Sequence, residues 1–408
     1  MTEQRITFEI GGEAFHDCVR FNLTRSLEEI AASFDLEIYD RVRGGGVALA
    51  TGRAQTRREA VRQGQACIVR IDDEVVLVGF IDDAKVSWTG DAMRFSIVGR
   101  DRTGDLVDCA AAPDGPAEYR NLTVTEIATR ICQPFGIPVR ADTDVGAAIP
   151  VFSLDASETA LSAIEKAARQ RAVLIVSDGV GGLVLTRGGA GRGPAPLRTP
   201  GNVEKSVARF SWKERFRDYY VKGQTRGAAG NRLDGTAGPL TAATPPAATS
   251  TRPAVRERAG VVMTGRARDE EVGRYRPTVQ LAKTQSGGAS VQTQAEWRMR
   301  VARAKSEALT YTVLDWRAGE ERKLWRPNEL VAVTDPFAGI SGDMLVSSVI
   351  YSLEAEGAVT EIELVGPEAY DLEPIEPRRR GRQARRRGGS GGDSRANELT
   401  AGAVRRGS

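Results

Sequence analysis

The sequence predicts a mainly β protein with α+β parts, in which a small α+β module separates two β-rich regions. Three observations support this fold class. Short runs that alternate apolar and polar residues fill the first hundred residues and return after residue 203. Between these regions, apolar residues recur at the spacing of amphipathic helices. The length of 408 residues also favours more than one domain, because one hydrophobic core rarely serves so long a chain.

Residues 1–112 are predicted to form the first β domain, either a small barrel or a sandwich. Alternating runs in this region are separated by tight turns, of which Gly11-Gly12 is the clearest. Ser26 and Glu29 have the spacing of a helix capping box, so one or two helical turns are expected between the strands.

Residues 118–200 are predicted to form the α+β module. Thr123 and Glu126 have capping-box spacing at the start of one amphipathic helix. The run "ETALSAIEKAARQR" predicts a second helix, and a β-hairpin is expected to turn over Gly179–Gly182.

Residues 203–373 are predicted to form a second β domain. The run "TQAEWRMRVARAKSEAL" predicts a helix inserted among its strands, and residues 324–370 predict three strands joined by two turns. Residues 227–255 are rich in Gly, Ala, Pro and Thr and offer little to bury, which is typical of a flexible loop.

The basic tail at residues 375–408 accounts for the net positive charge of the chain. It holds ten Arg against three acidic residues, or +7, so the remaining 374 residues sum to 3 − 7 = −4. Such a tail suits contacts with phosphate groups or with an acidic protein surface, and it equally suits a disordered solubilising role. A nucleic-acid-binding protein acting through this tail is therefore one alternative function.

Residues able to do chemistry are sparse. His16, Asp17 and Cys18 adjoin each other, but neighbours in a strand point to opposite faces, so a structural role is favoured. Four scattered cysteines and a single histidine make a metal site improbable, and no cofactor is expected.

Two carboxylate groups remain as candidates for acid–base catalysis, as in a glycosidase. The first group is Asp101, Asp105 and Asp108 in "GRDRTGDLVDC", which is more simply a polar corner at the end of the first β domain. The second is Glu354 and Glu356, which flank a predicted turn at Gly357.

Four stretches carry a resemblance to a known family. They are "FSIVGRDRTGDLVDCAA", "YRNLTVTEIATRICQPFGI", "ARDEEVGRYRP" and "WRPNELVAVTDPFAGISGDMLVSSVIYSLEAEGAVTEIELVGPEAY". Together they resemble the baseplate hub proteins of contractile phage tails, the phage Mu P-protein family. The T-even phage hub and the hub part of type VI secretion spike proteins look similar. The segment 227–255 and the Arg-rich tail depart from the family pattern.

The resemblance implies a structural protein rather than an enzyme. The alternative is a tail-associated peptidoglycan hydrolase, which would need one of the carboxylate groups above to form a cleft. Two tube-like β-barrel domains per chain would flank the α+β module, and three chains would form a ring of pseudo-sixfold symmetry. That ring would join the hexameric tail tube to the trimeric central spike.

The implied partners are two further copies of the chain, the central spike protein, a tail tube or tube-initiator protein and baseplate wedge proteins. Tape-measure protein or DNA in the lumen are further candidates, and no membrane is expected because the N-terminus has no signal pattern and apolar runs are short. The protein would reside in the virion, at the tail baseplate, after assembly in the host cytoplasm.

Aromatic and arginine side chains are common at protein interfaces, so they are the candidate contact residues. These candidates are Trp297, Trp316, Trp325, Tyr219, Tyr220 and Tyr311 in the third region, and Arg378, Arg379, Arg380, Arg382, Arg385, Arg386 and Arg387 in the tail.

Overall fold

The computed structural model describes residues 6–15, 18–41, 61–89, 92–224, 262–282, 288–354 and 357–372. Strands make up 49% of these residues and helices 16%, which confirms the mainly β class. No described helix combines the length and the apolar character needed to cross a bilayer. The predicted loop at 227–255 and the Arg-rich tail lie outside the described residues.

The first β region consists of antiparallel strands whose alternate side chains face the core. Its described strands are β1 (Ile6–Ile10), β2 (Glu13–Phe15), β3 (Cys18–Ser26), β4 (Ser33–Arg41), β5 (Ala66–Ile71), β6 (Glu74–Thr89) and β7 (Ala92–Asp101). Phe21, Leu36 and Ile97 lie in register on three neighbouring strands, and each is fully buried. The period-2 pattern in the sequence therefore produced the expected half-buried strands.

The prediction of a short helix after Ser26 is wrong. The Ser26 hydroxyl accepts a hydrogen bond from the Glu28 amide at 3.0 Å, and residues 27–32 form bends. The Leu27 amide donates to the carbonyl of Ser347 at 2.8 Å, in a strand far along the chain. Ser26 is paired with Ser348 at the end of β3, and β4 begins at Ser33, so only residues 27–32 lie between two paired strands.

The α+β module has its own core. Its elements are α1 (Gly104–Asp108), β8 (Glu118–Leu122), α2 (Val124–Cys132), a 3₁₀ turn (Gln133–Phe135), β9 (Val139–Ala141), β10 (Ile149–Ser153), α3 (Ala160–Arg169), β11 (Leu174–Ser177) and β12 (Leu183–Thr186). The predicted capping box is confirmed, because Thr123 and Glu126 exchange hydrogen bonds of 3.3 and 2.7 Å. The predicted hairpin is β11–β12, and its turn uses Gly179 and Gly181 with φ of 78° and 94°.

The third region combines long strands with one inserted helix. Its described elements are β13 (Gly191–Arg192), β14 (Leu197–Arg198), β15 (Lys205–Phe210), β16 (Asp218–Gln224), β17 (Val262–Arg268), β18 (Pro277–Leu281), α4 (Gly288–Lys305), β19 (Glu307–Leu314), β20 (Arg317–Ala318), β21 (Lys323–Leu324), β22 (Glu329–Asp335), β23 (Ile340–Glu354), β24 (Gly357–Val365) and a 3₁₀ turn (Pro367–Tyr370). The inserted helix is α4, which packs on β16 and β17 through Val221, Val291 and Ala295.

The two β regions share one sheet and one core. Strand β3 pairs with β23 in antiparallel fashion from Ser26↔Ser348 to Phe21↔Leu353. The sheet path among the described strands is β15-β19-β24-β23-β3-β4-β7-β6-β5-β1-β2, which has two ends and does not close into a barrel. One buried cluster includes Phe21 from the first region and Tyr311 from the third.

The same four-strand topology occurs twice along this path. We call β3, β4, β6 and β7 the N-terminal quartet, and β15, β19, β23 and β24 the C-terminal quartet. Numbered by their order in the chain, both quartets are arranged 1-2-4-3 across the sheet, in the same direction. Where the two quartets meet in the sheet, β23 of the C-terminal quartet pairs with β3 of the N-terminal quartet. The chain thus contains a structural repeat that the residues themselves did not reveal.

Candidate functional site

Asp101, the first carboxylate of the "GRDRTGDLVDC" corner, lies buried between the first β region and the α+β module. It is 2% exposed and accepts hydrogen bonds from the Ala32 amide at 3.2 Å, the Thr103 amide at 2.9 Å and the Ser177 hydroxyl. Burial raises the pKa of Asp101, although the hydrogen bonds from Ser177 and Thr103 oppose that shift. Protein donors occupy the acceptor positions of the Asp101 carboxylate, which therefore joins the first β region to the α+β module.

The other acidic residues of that corner do not converge on Asp101. Asp108 is exposed and receives a hydrogen bond from Arg100 at 2.6 Å, which lowers the pKa of Asp108. Among the described residues, no group of three or more His, Cys, Asp or Glu is placed to hold a metal ion. The arrangement is that of a polar corner, in which Leu106 is buried and Val107 is 37% exposed.

The remaining candidates for chemistry are only partly described. His16, Asp17, Glu356 and the side chain of Glu354 lie outside the described residues. Cys18 is half-buried, and burial raises the pKa of both Cys67 and Cys132 to about 12. These two thiols therefore stay protonated at neutral pH and are poor nucleophiles.

The motif "ARDEEVGRYRP" builds a buried ion-pair network. Asp269 binds Arg215 through two hydrogen bonds of 2.5 and 3.1 Å, and both side chains are 3% exposed. Glu271 bridges Arg215 and Arg303, so the network ties the segment after β15 to α4. Arg276 of the same motif stacks over the Phe216 ring at 4.9 Å. Much of the motif is therefore occupied by internal contacts.

A second set of ion pairs joins the two β regions. Arg317 contacts Asp72 at 3.1 Å and Glu74 at 3.0 Å, both on the turn between β5 and β6. Arg326 reaches the other oxygen of Glu74 at 2.9 Å. These contacts tie β20 and the segment before β22 to the β5–β6 turn and the start of β6.

Four of the aromatic interface candidates belong to the core, so the expectation that they contact partners is corrected. Trp316 and Tyr311 are fully buried, Trp325 is 1% exposed and Tyr219 is 3% exposed. Tyr311 also donates a hydrogen bond to the buried Asp335 at 2.8 Å. Tyr311 and Tyr219 face the core from β19 and β16, and Trp316 and Trp325 do so from the connecting segments beside β20 and β21, which leaves no surface for a partner.

The other candidates keep some access or lie outside the description. Trp297 is half-buried and donates from Nε1 to the Asp371 carbonyl at 2.8 Å. Tyr220 is half-buried with Arg266 over its ring at 5.4 Å. The seven tail arginines lie outside the described residues.

The most exposed parts of the sheet are two strand edges that the sequence did not single out. Strand β15 is the end of the sheet path, and all six of its residues are exposed, including Val207 (49%) and Phe210 (56%). In β6, only residues 74–80 pair with β5, so residues 82–89 have a partner on one side only among the described strands. Nothing local in the run "KSVARF" shows that it is an edge.

Family models match three parts of the chain. The models are described as Mu phage baseplate assembly protein GpP-like, N-terminal (residues 5–101), baseplate hub protein gp44-like, second domain (103–187) and Mu phage baseplate assembly protein GpP, fourth domain (287–373). The first model covers all four strands of the N-terminal quartet, and the last covers three strands of the C-terminal quartet.

Similar proteins agree with the family models. The baseplate hub protein gp44 of Escherichia phage Mu is 30% identical over 95% of this chain and 93% of that protein. A 43 kDa tail protein of prophage MuSo2 from Shewanella oneidensis is 30% identical, with a TM-score of 0.73 over 90% of this chain and 99% of that chain. A tail protein of Neisseria meningitidis shares the fold at 20% identity, with a TM-score of 0.68 over 91% of this chain and 100% of that chain. The chain therefore belongs to the family of Mu-type baseplate hub proteins, which are structural components of the phage tail.

Proposed function

We propose that three copies of this chain form a ring that joins the tail tube to the central spike. The observation that carries the proposal is the repeated quartet. Each chain supplies two four-strand sets with the same strand order and direction, so three chains supply 3 × 2 = 6 sets. A trimer built in this way has pseudo-sixfold symmetry, which matches a threefold partner on one side and a sixfold partner on the other. The quartets take the place of the two tube-like β-barrel domains implied by the resemblance.

The two ends of the eight-strand run from β15 to β6 support ring closure. A cyclic trimer is held by contacts between different surfaces of neighbouring copies, and such contacts close when the rotation is one third of a turn. The pairing of β3 with β23 inside one chain shows that one quartet can continue into the next. Ring closure would also cover edges that otherwise invite aggregation.

The face of the run that turns away from the core suits a water-filled lumen. Asn22 lies opposite Asp35 on this face, and Thr310 lies opposite Glu363. All four side chains are at least partly exposed, whereas Phe21 and Leu36 on the other face are buried. A polar lining excludes neither water nor a polar polymer, so it fits a channel continuous with the tail tube.

The partners in this role are the spike protein on one side of the ring and the tube or tube-initiator protein on the other, with wedge proteins around it. The test is whether the hub bridges them. Purified spike and tube proteins from the same particle should sediment together only when this chain is added, with three hub chains per spike trimer. Binding to neither protein, or spike and tube associating equally well without the hub, would contradict the proposal.

A further inference from the structure

We propose that the seam between neighbouring copies is an antiparallel pairing of residues 83–88 in β6 of one copy with residues 206–211 at β15 of the next. The proposal rests on the proposed ring and adds which strands meet and in which register. It is argued from the junction between quartets that each chain already contains, the pairing of β23 with β3. That junction serves as the template for the junction between chains.

Strand β6 is the counterpart of β23. Both strands pair along their first part with a preceding strand, β5 for β6 and β22 for β23. Both then pair with the following strand through a register shift, between Ile81 and Asp83 in β6 and between Val346 and Ser348 in β23. Both end with two residues left before the next strand begins. The matched irregularities set Asp83 equivalent to Ser348, and the alignment continues without a gap to the end of each strand.

Strand β15 is the counterpart of β3. Leu36 of β4 and Tyr311 of β19 occupy equivalent places, because they pair with Ile97 and Ile362 of the matching strands β7 and β24. On their other side Leu36 pairs with Phe21, and Tyr311 pairs with Ser206. Ser206 is therefore equivalent to Phe21, and the residue equivalent to Ser26 is Ser211.

The register of the seam follows when each residue of the template pairing is replaced by its equivalent in β6 or β15. In the template, residues 348–353 pair with residues 26–21 in that order. The equivalent pairs between copies are Asp83↔Ser211, Ala84↔Phe210, Lys85↔Arg209, Val86↔Ala208, Ser87↔Val207 and the backbone of Trp88↔Ser206.

The side chains on the core-side face fit this register. Val86 lies opposite the buried Phe95 and is nevertheless 45% exposed, and Phe210 is 56% exposed. In the seam Val86 meets Ala208, while Phe210 meets Ala84. The residues equivalent to Val86 and Ala208 in the template are Tyr351 and Leu23, which are fully buried. Large exposed apolar side chains on two free edges are thus brought together, where each would be removed from water.

The lumen-side face carries the charged residues. Lys85 lies opposite Arg209, a like-charged pair that taken alone is unfavourable. Asp83, two residues earlier on the same face, is the diagonal neighbour of Arg209 and offsets this repulsion. Among the described residues no ion pair occupies Lys85 or Arg209 within one chain, so both remain available at the seam.

Disulfide trapping tests the register directly. The pair Val86→Cys and Ala208→Cys is placed in one chain, on a background in which the exposed Cys109 is replaced by serine. Within one copy these positions lie at opposite ends of the run, seven strand spacings of about 4.8 Å apart along the sheet. A disulfide needs Cα atoms within about 7 Å, so only neighbouring copies can be joined. The matched control is Ala84→Cys with Ala208→Cys, on the same face but displaced by two residues.

Under mild oxidation the Val86/Ala208 pair should give covalent trimers at least tenfold faster than the Ala84/Ala208 pair. If light scattering shows a trimer but the control pair reacts as fast, or neither pair reacts, the seam is wrong and the ring stands. If the chain is monomeric with and without the spike protein, the ring fails and the seam fails with it.

Hydrogen exchange on the unmodified protein gives a second test that does not depend on substitutions. Strand β18 is another edge strand with mostly exposed residues and serves as an internal control. In the assembled protein, the amides of β15 that point away from β19 should exchange at least tenfold more slowly than the amides of β18 that point away from β16. Equal exchange in the two strands would overturn the seam.

Discussion

Replacing Asp269 with alanine removes the carboxylate that neutralises a buried arginine. Arg215 and Asp269 are each 3% exposed, and two hydrogen bonds of 2.5 and 3.1 Å join them. Burial alone would raise the pKa of Asp269, but the hydrogen bond and charge of Arg215 outweigh it and lower that pKa. The carboxylate is therefore ionised at neutral pH, and its loss leaves a charge without its main partner.

The expected cost is about 3 kcal/mol. Removing one partner of a buried ion pair costs about 3–5 kcal/mol, because the other charge stays buried. The lower end applies here, since Glu271 also contacts Arg215 and is 47% exposed, so it retains part of the compensation. A change of about 3 kcal/mol corresponds to roughly a hundredfold change in the unfolding equilibrium.

Urea unfolding followed by tryptophan fluorescence and circular dichroism measures this cost. The matched control is Glu270→Ala, the neighbouring acid, whose side chain is 78% exposed and pairs with the partly exposed Arg268. It should change the free energy of unfolding by less than about 0.5 kcal/mol. If Asp269→Ala costs under about 1 kcal/mol, or no more than the control, the network does not stabilise the fold as argued.

Two further substitutions test buried carboxylates. Asp101→Ala should lower the free energy of unfolding by about 2–3 kcal/mol, because it leaves the buried amides of Ala32 and Thr103 without their acceptor. The exposed Asp108→Ala should lower it by less than about 1 kcal/mol. Thermal or urea unfolding measures both changes, and equal costs would contradict the role of Asp101 in joining two parts of the fold. Burial raises the pKa of Glu329 from 4.5 to about 7, and its Oε2 has no hydrogen-bond partner among the described residues. The folded protein therefore binds the proton of the Glu329 carboxyl group more tightly than the unfolded chain does. The stability gained from this binding is lost as pH rises through 7. Glu329→Gln should raise the melting temperature relative to wild type at pH 8 and leave it unchanged near pH 4; a pH-independent difference would refute this.

Local signals in the sequence were sufficient where the structure is local. The helix after Thr123 was predictable because its capping box and its apolar face lie within ten residues. The same kind of signal failed at Ser26, because Ser26 ends a strand that pairs with Ser348, more than three hundred residues away. A capping pattern cannot report a competing strand at that distance.

The candidate interface depended on non-local facts. Tyr311 and Trp316 have the composition of interface residues, but whether a ring faces the core or a partner depends on which neighbours cover it. The quartet repeat is similarly invisible in the residues, since Phe21 is equivalent to Ser206 and Leu36 to Tyr311. It appears only in the strand order and the matched register shifts.

The most direct test of the ring is the solution mass of the chain, measured by light scattering alone and with the spike protein. A ring of three copies has a mass of 3 × 43.9, or about 132 kDa. The chain alone should show this mass, or the mixture should contain a complex with three hub chains per spike trimer. A mass of 43.9 kDa in both samples, with no complex on mixing, would contradict the ring and the hub role built on it.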